Sequence, residues 1–187
     1  MDKHELRNHA KNCRSDLDYD QIESISQSVI KRIINLSEFK TRSIFHLFYP
    51  IAEKKEIDLR TLAFRLWNTG KTVVMPKVSK EGTLTHHKVH SFEELESTRW
   101  GMKEPRKGLP EVDPALLDVI IVPMLMGDLH KNRLGYGAGF YDRFLAQAKR
   151  ATTIGVVADQ FLMHQELPIE AHDKSLDIIA TEKRMII

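Results

Sequence analysis

The apolar run from Val119 to Leu125 leads into Arg133-Leu134-Gly135-Tyr136-Gly137-Ala138-Gly139-Phe140-Tyr141-Asp142-Arg143, and Phe140, Phe144, Leu145 and Ala148 then fall at helical spacing. A buried strand, a glycine loop and a helix in that order demand a layered α/β arrangement, because strand and helix each need a partner layer for their apolar faces. Glycines at every second position let a backbone approach a ligand closely and offer N–H groups to an anion. A plain tight turn would explain the glycines but not their neighbours. Arginine is a forked donor suited to phosphate oxygens, and a carboxylate beside phosphate makes sense when a divalent cation lies between them. Arg133, Arg143 and Asp142 supply those groups.

The rest of the chain repeats the alternation of short apolar runs with helical patterns, which predicts an α/β fold of three layers, α/β/α, with an open, mostly parallel, Rossmann-like sheet. Expected strands are Ser43 to Tyr49, Thr72 to Pro76, Val119 to Leu125, Thr153 to Ala158 and Asp177 to Thr181, with an exposed strand at Thr83 to Val89. Expected helices cover Asp2 to Arg14, a segment opened by the capping pair Asp18 and Gln21, Asp58 to Trp67, and Phe140 to Lys149. Ser91 with Glu94 suggests a short capped helix, and Gly101 to Pro114 reads as a surface loop carrying ligand contacts. In such sheets ligands bind beyond the carboxyl ends of the strands. The loops after Tyr49, Pro76, Leu125 and Ala158 are therefore expected on one rim, with Glu53, Glu56, Lys77, the glycine loop, Asp159 and the segment reaching His172-Asp173.

At 187 residues the chain fits a single domain spanning 1–187. With 28 basic and 26 acidic side chains interleaved to a net charge of +2, it presents no broad nucleic-acid footprint. One cysteine, Cys13, excludes an internal disulfide, and no apolar stretch reaches membrane-spanning length. A cytoplasmic monomer with no nucleic-acid or membrane partner is the expectation. Lys3, Arg7 and Lys11 form a cationic stripe on the first helix, which by itself reads as a solvated face.

With these pieces in order, the chain resembles the 5-formyltetrahydrofolate cyclo-ligase family, also called methenyltetrahydrofolate synthetase, nearly end to end. The matching pieces are Lys3 with Arg7, the turn Glu56-Ile57-Asp58, Trp100-Gly101-Met102-Lys103-Glu104-Pro105, Leu117-Asp118-Val119 to Pro123, the loop Arg133 to Asp142, and Gln160, Leu167-Pro168 and His172-Asp173. Three positions depart from the family pattern: Ala138 stands where Gly or Lys is usual, Met124 to Asp128 replaces a Gly-x-x-Phe-Asp run, and Lys131 replaces a turn glycine.

The resemblance implies ATP-driven cyclisation of 5-formyltetrahydrofolate to 5,10-methenyltetrahydrofolate, releasing ADP and phosphate, with Mg²⁺ as cofactor. It implies nucleotide binding by Lys3, Arg7 and the loop Arg133, Leu134, Gly135, Tyr136, Gly137, Ala138, Gly139, Phe140 and Tyr141. Arg133 and Asp142 would be the catalytic pair, and Asp142 with Asp173 the metal carboxylates. Glu56 would read the reduced pterin, between walls of Ile51, Met75, Trp100 and Tyr136. On residue type alone Met75 and Ile51 read equally well as core, and Asp173 as a turn carboxylate.

Two other readings compete. A dinucleotide-binding oxidoreductase would use Asp159, about twenty residues past the glycines, on a ribose; its fingerprint, however, needs Gly-x-Gly-x-x-Gly, and Phe140 occupies the sixth position. A non-catalytic folate- or nucleotide-binding protein would bind without turnover. His86, His87 and His90 are a weak zinc signal, since alternation turns His87 away from the other two, and Cys13 reads as buried filler.

Overall fold

The computed structural model of the chain describes residues 1–98 and 101–187. It opens with two helices, α1 (Lys3–Ser15) and α2 (Tyr19–Ile34). Both begin at a reciprocal capping box: Asp2 with Glu5, and Asp18 with Gln21, whose amide donates to Asp18 Oδ1 at 2.7 Å while the Asp18 amide donates to Gln21 Oε1 at 2.9 Å. Each satisfies two of the amides that a helix start leaves without partners. A short helix α3 (Ser37–Thr41) leads to strand β1 (Ile44–His46), and α4 (Arg60–Asn68) to the antiparallel pair β2 (Thr72–Val78) and β3 (Leu84–Val89).

After a 3₁₀ turn at Phe92–Glu94, the chain forms an arm of β4 (Leu95–Ser97) and β5 (Lys103–Pro105). The stretch expected to be a bare surface loop therefore carries its own strand. Next come β6 (Val119–Pro123), the hairpin β7 (Met126–Asp128) and β8 (Arg133–Leu134), the glycine loop, α5 (Phe140–Leu145) and β9 (Thr152–Val156). The remaining strands are β10 (Leu162–Met163), which pairs with β7, then β11 (Ile178–Ala180) and β12 (Met185–Ile186). Helix α5 stops short of the expected Lys149 because its last turn tightens, with Gln147 and Ala148 amides both donating to Phe144 O.

The main sheet has seven strands in the order β12-β11-β9-β6-β1-β2-β3, parallel in its interior and antiparallel at both edges. Its parallel strands run 2-1-3-4-5 in chain order, which is the flavodoxin-type winding; Rossmann-like holds for the layering and not for the order. Two cores cover the sheet. One joins Leu6 and Ala10 of α1, Phe144 and Leu145, and Val74, Ile120 and Val122. The other joins Val29 and Ile33 of α2, Leu62 and Leu66 of α4, and Val73, Met75, Val119 and Ile121. Neighbouring strand positions go to opposite cores because side chains alternate, and each fully buried Leu or Ile contributes about 1.5–3 kcal/mol. Winding reverses between β1 and β6, so the segments that follow these two strands diverge and open a crevice.

Candidate active site

The crevice is a cleft of about 570 Å³. Its walls come from the segment after β1 (Tyr49, Ile51, Glu56), the carboxyl end of β6 (Pro123), the glycine loop, and the start of α1. From the predicted rim, Glu53, Lys77 and Asp159 are not part of the wall. Lys77 donates to Glu96 at 2.9 Å and to Pro105 O at 2.6 Å, tying β2 to the β4–β5 arm. Asp159 accepts from Arg184 Nε and Thr181 Oγ1, both at 2.9 Å, and so clamps the carboxyl end of the chain. That engagement removes it from the ribose role a dinucleotide site would need.

The cationic stripe on α1 is not a solvated face. Lys3 Nζ sits 2.5 Å from Asp173 Oδ2 and 2.9 Å from Glu170 Oε1, and Arg7 Nε donates to Gly135 O at 3.0 Å. Both line the cleft, and only Lys11 of the three stays in solvent. Burial works against the Lys3 charge, but the hydrogen bonds it donates to Asp173 and Glu170 outweigh that and raise the ammonium's pKa. Asp173 answers in kind: burial pushes its pKa up, yet bonds from Lys3 and the Glu170 amide bring it below the ordinary carboxylate value.

At the other end of the loop, Arg133 Nη2 meets Asp142 Oδ1 at 2.5 Å, and the Lys174 amide donates to the same oxygen at 3.2 Å. Arg133 also donates through Nη1 to Lys174 O. The loop between them is shaped by two left-handed glycines, Gly137 at φ +105° and Gly139 at φ +66°, the latter opening α5. A Cβ on Gly137 would stand 3.4 Å from the Arg7 guanidinium, so the same residue provides both backbone conformation and room for the cation. Leu134, Gly135, Tyr136, Ala138, Phe140 and Tyr141 also line the cleft. At Ala138 the carbonyl accepts from Arg143 Nη1 at 3.3 Å.

Glu56 is 6% exposed and its carboxylate is held from two sides: Tyr136 Oη donates to Oε1 at 2.6 Å and the Ile51 amide donates to Oε2 at 2.8 Å. A carboxylate oxygen has a second lone pair, so both remain able to accept from a ligand. Burial, and then the Glu56 charge, raise the Tyr136 pKa, so the phenol stays a neutral donor. Ile51 lines the cleft beside it. Met75 does not: at 2% exposure it packs in the α2–α4 core with Val73, because strand alternation sends Pro76 and Val78 to the cleft and Met75 to the opposite face. Trp100 lies outside the described residues, and next to it in sequence Met102, Lys103 and Glu104 line the cleft.

Several contributors escaped the sequence reading. Glu170 shares Lys3 with Asp173, and Lys54 places Nζ 4.8 Å from the Tyr136 ring centroid. Arg14 donates to Tyr136 Oη; the available signal was an arginine on the face of α1 that also carries Leu6 and Ala10. His86 and His87 do point apart: His86 stacks on Phe144 and hydrogen-bonds His46 at 3.1 Å, while His87 bonds Leu109 O. Among the described residues no three His, Cys, Asp or Glu side chains converge as a metal site. Cys13 is half-buried on α1, 3.7 Å from the His9 ring.

The chain that builds this cleft has counterparts among known proteins. The profile of the "5-formyltetrahydrofolate cyclo-ligase family" matches residues 1–182. A Schizosaccharomyces pombe protein described as a probable 5-formyltetrahydrofolate cyclo-ligase is 30% identical over 181 residues, 88% of this chain and 87% of its own length. The Escherichia coli K12 5-formyltetrahydrofolate cyclo-ligase is 33% identical over 135 residues, 70% of this chain and 74% of that one. The NMR structure of Aquifex aeolicus 5,10-methenyltetrahydrofolate synthetase superposes with a TM-score of 0.87 at 34% identity, covering 99% of this chain and 92% of the other. With sequence profile, relatives and three-dimensional structure agreeing over almost the whole length, the chain belongs to the 5-formyltetrahydrofolate cyclo-ligase family.

Proposed function

We propose that the cleft performs the family's cyclisation with ATP and Mg²⁺, through the residues that line it. The chain is a ligase that closes 5-formyltetrahydrofolate to 5,10-methenyltetrahydrofolate. An N5-formyl group is amide-like, and its oxygen is too poor a leaving group for attack by N10 to go to completion. In the proposed sequence the formyl oxygen attacks the γ-phosphorus and ADP departs. N10 then bonds to the formyl carbon and loses its proton, and the C–O bond breaks to release phosphate. What such a transfer asks of a protein is in-line positioning and dispersal of charge.

Lys3 and Arg7 take the nucleotide phosphates, and the amides of Gly135, Gly137 and Gly139 with Arg133 cradle them. Asp142 and Asp173 hold the cation, which neutralises phosphate charge when bound. The observation that carries this assignment is that both carboxylates line the cleft with one oxygen already oriented by a cation, Asp142 by Arg133 and Asp173 by Lys3. Magnesium keeps several waters and takes one or two carboxylates plus phosphate oxygens, so this donor set fits a cation that arrives with a nucleotide and would not form a closed protein cage. Glu56 accepts from the pterin ring, with Ile51 and Tyr136 as walls. A single domain acting as a cytoplasmic monomer completes the reading.

The test is direct. The protein is incubated with 5-formyltetrahydrofolate, ATP and Mg²⁺, and the ultraviolet absorbance of the methenyl product is followed. ATP- and Mg²⁺-dependent product is expected; folded protein that binds folate and ATP and forms none would make it a binding protein only.

A further inference from the structure

Arg14 is 6% exposed, and among the described residues its guanidinium has no carboxylate within ion-pair distance. A buried cation without a counter-ion is expensive unless its donors are well used. Here Nη2 donates to Met124 O at 2.7 Å and Leu125 O at 3.1 Å, and Nη1 donates to Tyr136 Oη at 3.3 Å. The ring of Phe161 lies below, 5.5 Å from Cζ. Those two carbonyls belong to the link between β6 and β7, so the cation is pinned to the end of the central strand.

The consequence reaches the other side of the cleft. A phenol has one proton, and when Oη accepts from Arg14 that proton is free to go to Glu56 Oε1, 2.6 Å away. Arg14, Tyr136 and Glu56 thus form an ion pair bridged by a neutral phenol, and polarisation along such a chain strengthens both bonds. The Ile51 amide holds the second Glu56 oxygen, so the orientation of the carboxylate plane is set by one backbone donor and one phenol that Arg14 aims. Three separate segments, α1, the glycine loop and the turn after β1, meet in this relay.

We infer that Arg14 is a positioning residue for folate: it acts through the Tyr136 phenol to fix the Glu56 carboxylate in the geometry that accepts from the pterin. This rests on the reading that Glu56 meets the folate. Lysine cannot replace it, because a point ammonium does not reproduce a planar fork that holds two carbonyls and a phenol at once.

Four proteins carry the test: Arg14→Lys, Tyr136→Phe, the double variant and Glu56→Gln, with the folate KM and the ATP KM measured for each. Arg14→Lys keeps the buried charge and a donor for the carbonyls, so it is the variant most able to fold; thermal melting checks that it does. Loss of a charge-assisted bond predicts a folate KM raised by about ten-fold in Arg14→Lys and in Tyr136→Phe, with ATP KM within about two-fold of the parent. The double variant should be no worse than Tyr136→Phe alone, because the relay is already cut. Multiplying effects, or equal rises in both KM values, would overturn the relay and leave Arg14 a packing residue. Unchanged folate KM in Glu56→Gln would remove the folate role of Glu56 itself, and the inference with it; raised KM there with multiplying Arg14 and Tyr136 effects would sink the relay alone.

Discussion

Arg133 and Asp142 stand at the two ends of the glycine loop, nine positions apart, and close on each other at 2.5 Å with the Arg133 side chain only 5% exposed. The contact makes the loop a ring whose base is an ion pair, so backbone amides and carboxylate are presented as one unit. Asp142→Asn keeps the shape but removes the charge. Turnover should fall at least about 100-fold, as expected when a group that organises charge in phosphoryl transfer is lost, whereas Glu56→Gln should chiefly raise folate KM. Steady-state kinetics at varied Mg²⁺ separate the two; equal loss of ATP affinity in both would refute the division of roles.

Gly137 and Gly135 look alike in sequence and differ in space. A Cβ on Gly135 meets nothing within 4 Å, while Gly137 combines φ +105° with the Arg7 guanidinium 3.4 Å from the Cβ position. Gly137→Ala should cost about 1–2 kcal/mol of stability or distort the loop, and raise ATP KM by displacing Arg7. Gly135→Ala should melt near the parent temperature. Urea unfolding of both checks the contrast.

Acid should loosen the layer behind the loop. His46 is fully buried on β1 between His86, Tyr141 and Phe144, with its Nδ1 and the Tyr141 hydroxyl lacking partners among the described residues. Burial, and then the neighbouring His86, push the His46 pKa well below 6.5; burial, and then His87, bring His86 down to about 4. Both are therefore neutral when folded and protonate more readily when unfolded. Stability should be level above about pH 6.5 and decline as pH falls from there towards 4, because the unfolded chain binds the extra protons. Chemical denaturation from pH 8 to 4 measures this, and His86→Phe should flatten the slope.

Lys131 holds φ +67° at the β7–β8 turn, where a side chain is strained. Its neighbours keep it there: the Lys131 amide donates to Asp128 O at 3.1 Å, and buried Asp128 accepts from the His130 and Asn132 amides at 2.9 Å. Lys131→Gly relieves the strain, offset in part by the greater conformational entropy glycine gives the unfolded chain, so a net gain of up to about 1 kcal/mol is expected, without change in kcat. Thermal melting and the product assay check both halves.

Part of the candidate site was legible because its chemistry is local. The glycine loop, Arg133 and Asp142 lie within ten residues, so spacing grouped them; Lys3 and Arg7 fall one helical turn apart but read by spacing as a solvated face, and only the family resemblance joined them to the loop. Met75 was misplaced because parity along a strand says that Val73 and Met75 share a face but not which face meets the cleft. Asp159 was drawn towards the rim for the opposite reason: it does follow a strand end, yet Arg184 from the turn between the chain's last two strands engages it. Arg14 was passed over because a charge on an apolar helix face is explained only by carbonyls more than a hundred positions away.

By itself the sequence determined the layers, the principal helices and sheet strands, and the family, since hydrophobic period, capping pairs and the glycine loop are short-range signals that no packing needs to interpret. Tertiary structure decided the winding order that opens the cleft between β1 and β6, the pairing of Lys3 with Asp173 across 170 positions, and the relay from Arg14 to Glu56. Those depend on which distant segments a buried charge or carboxylate can reach, and burial is a property of the assembled chain.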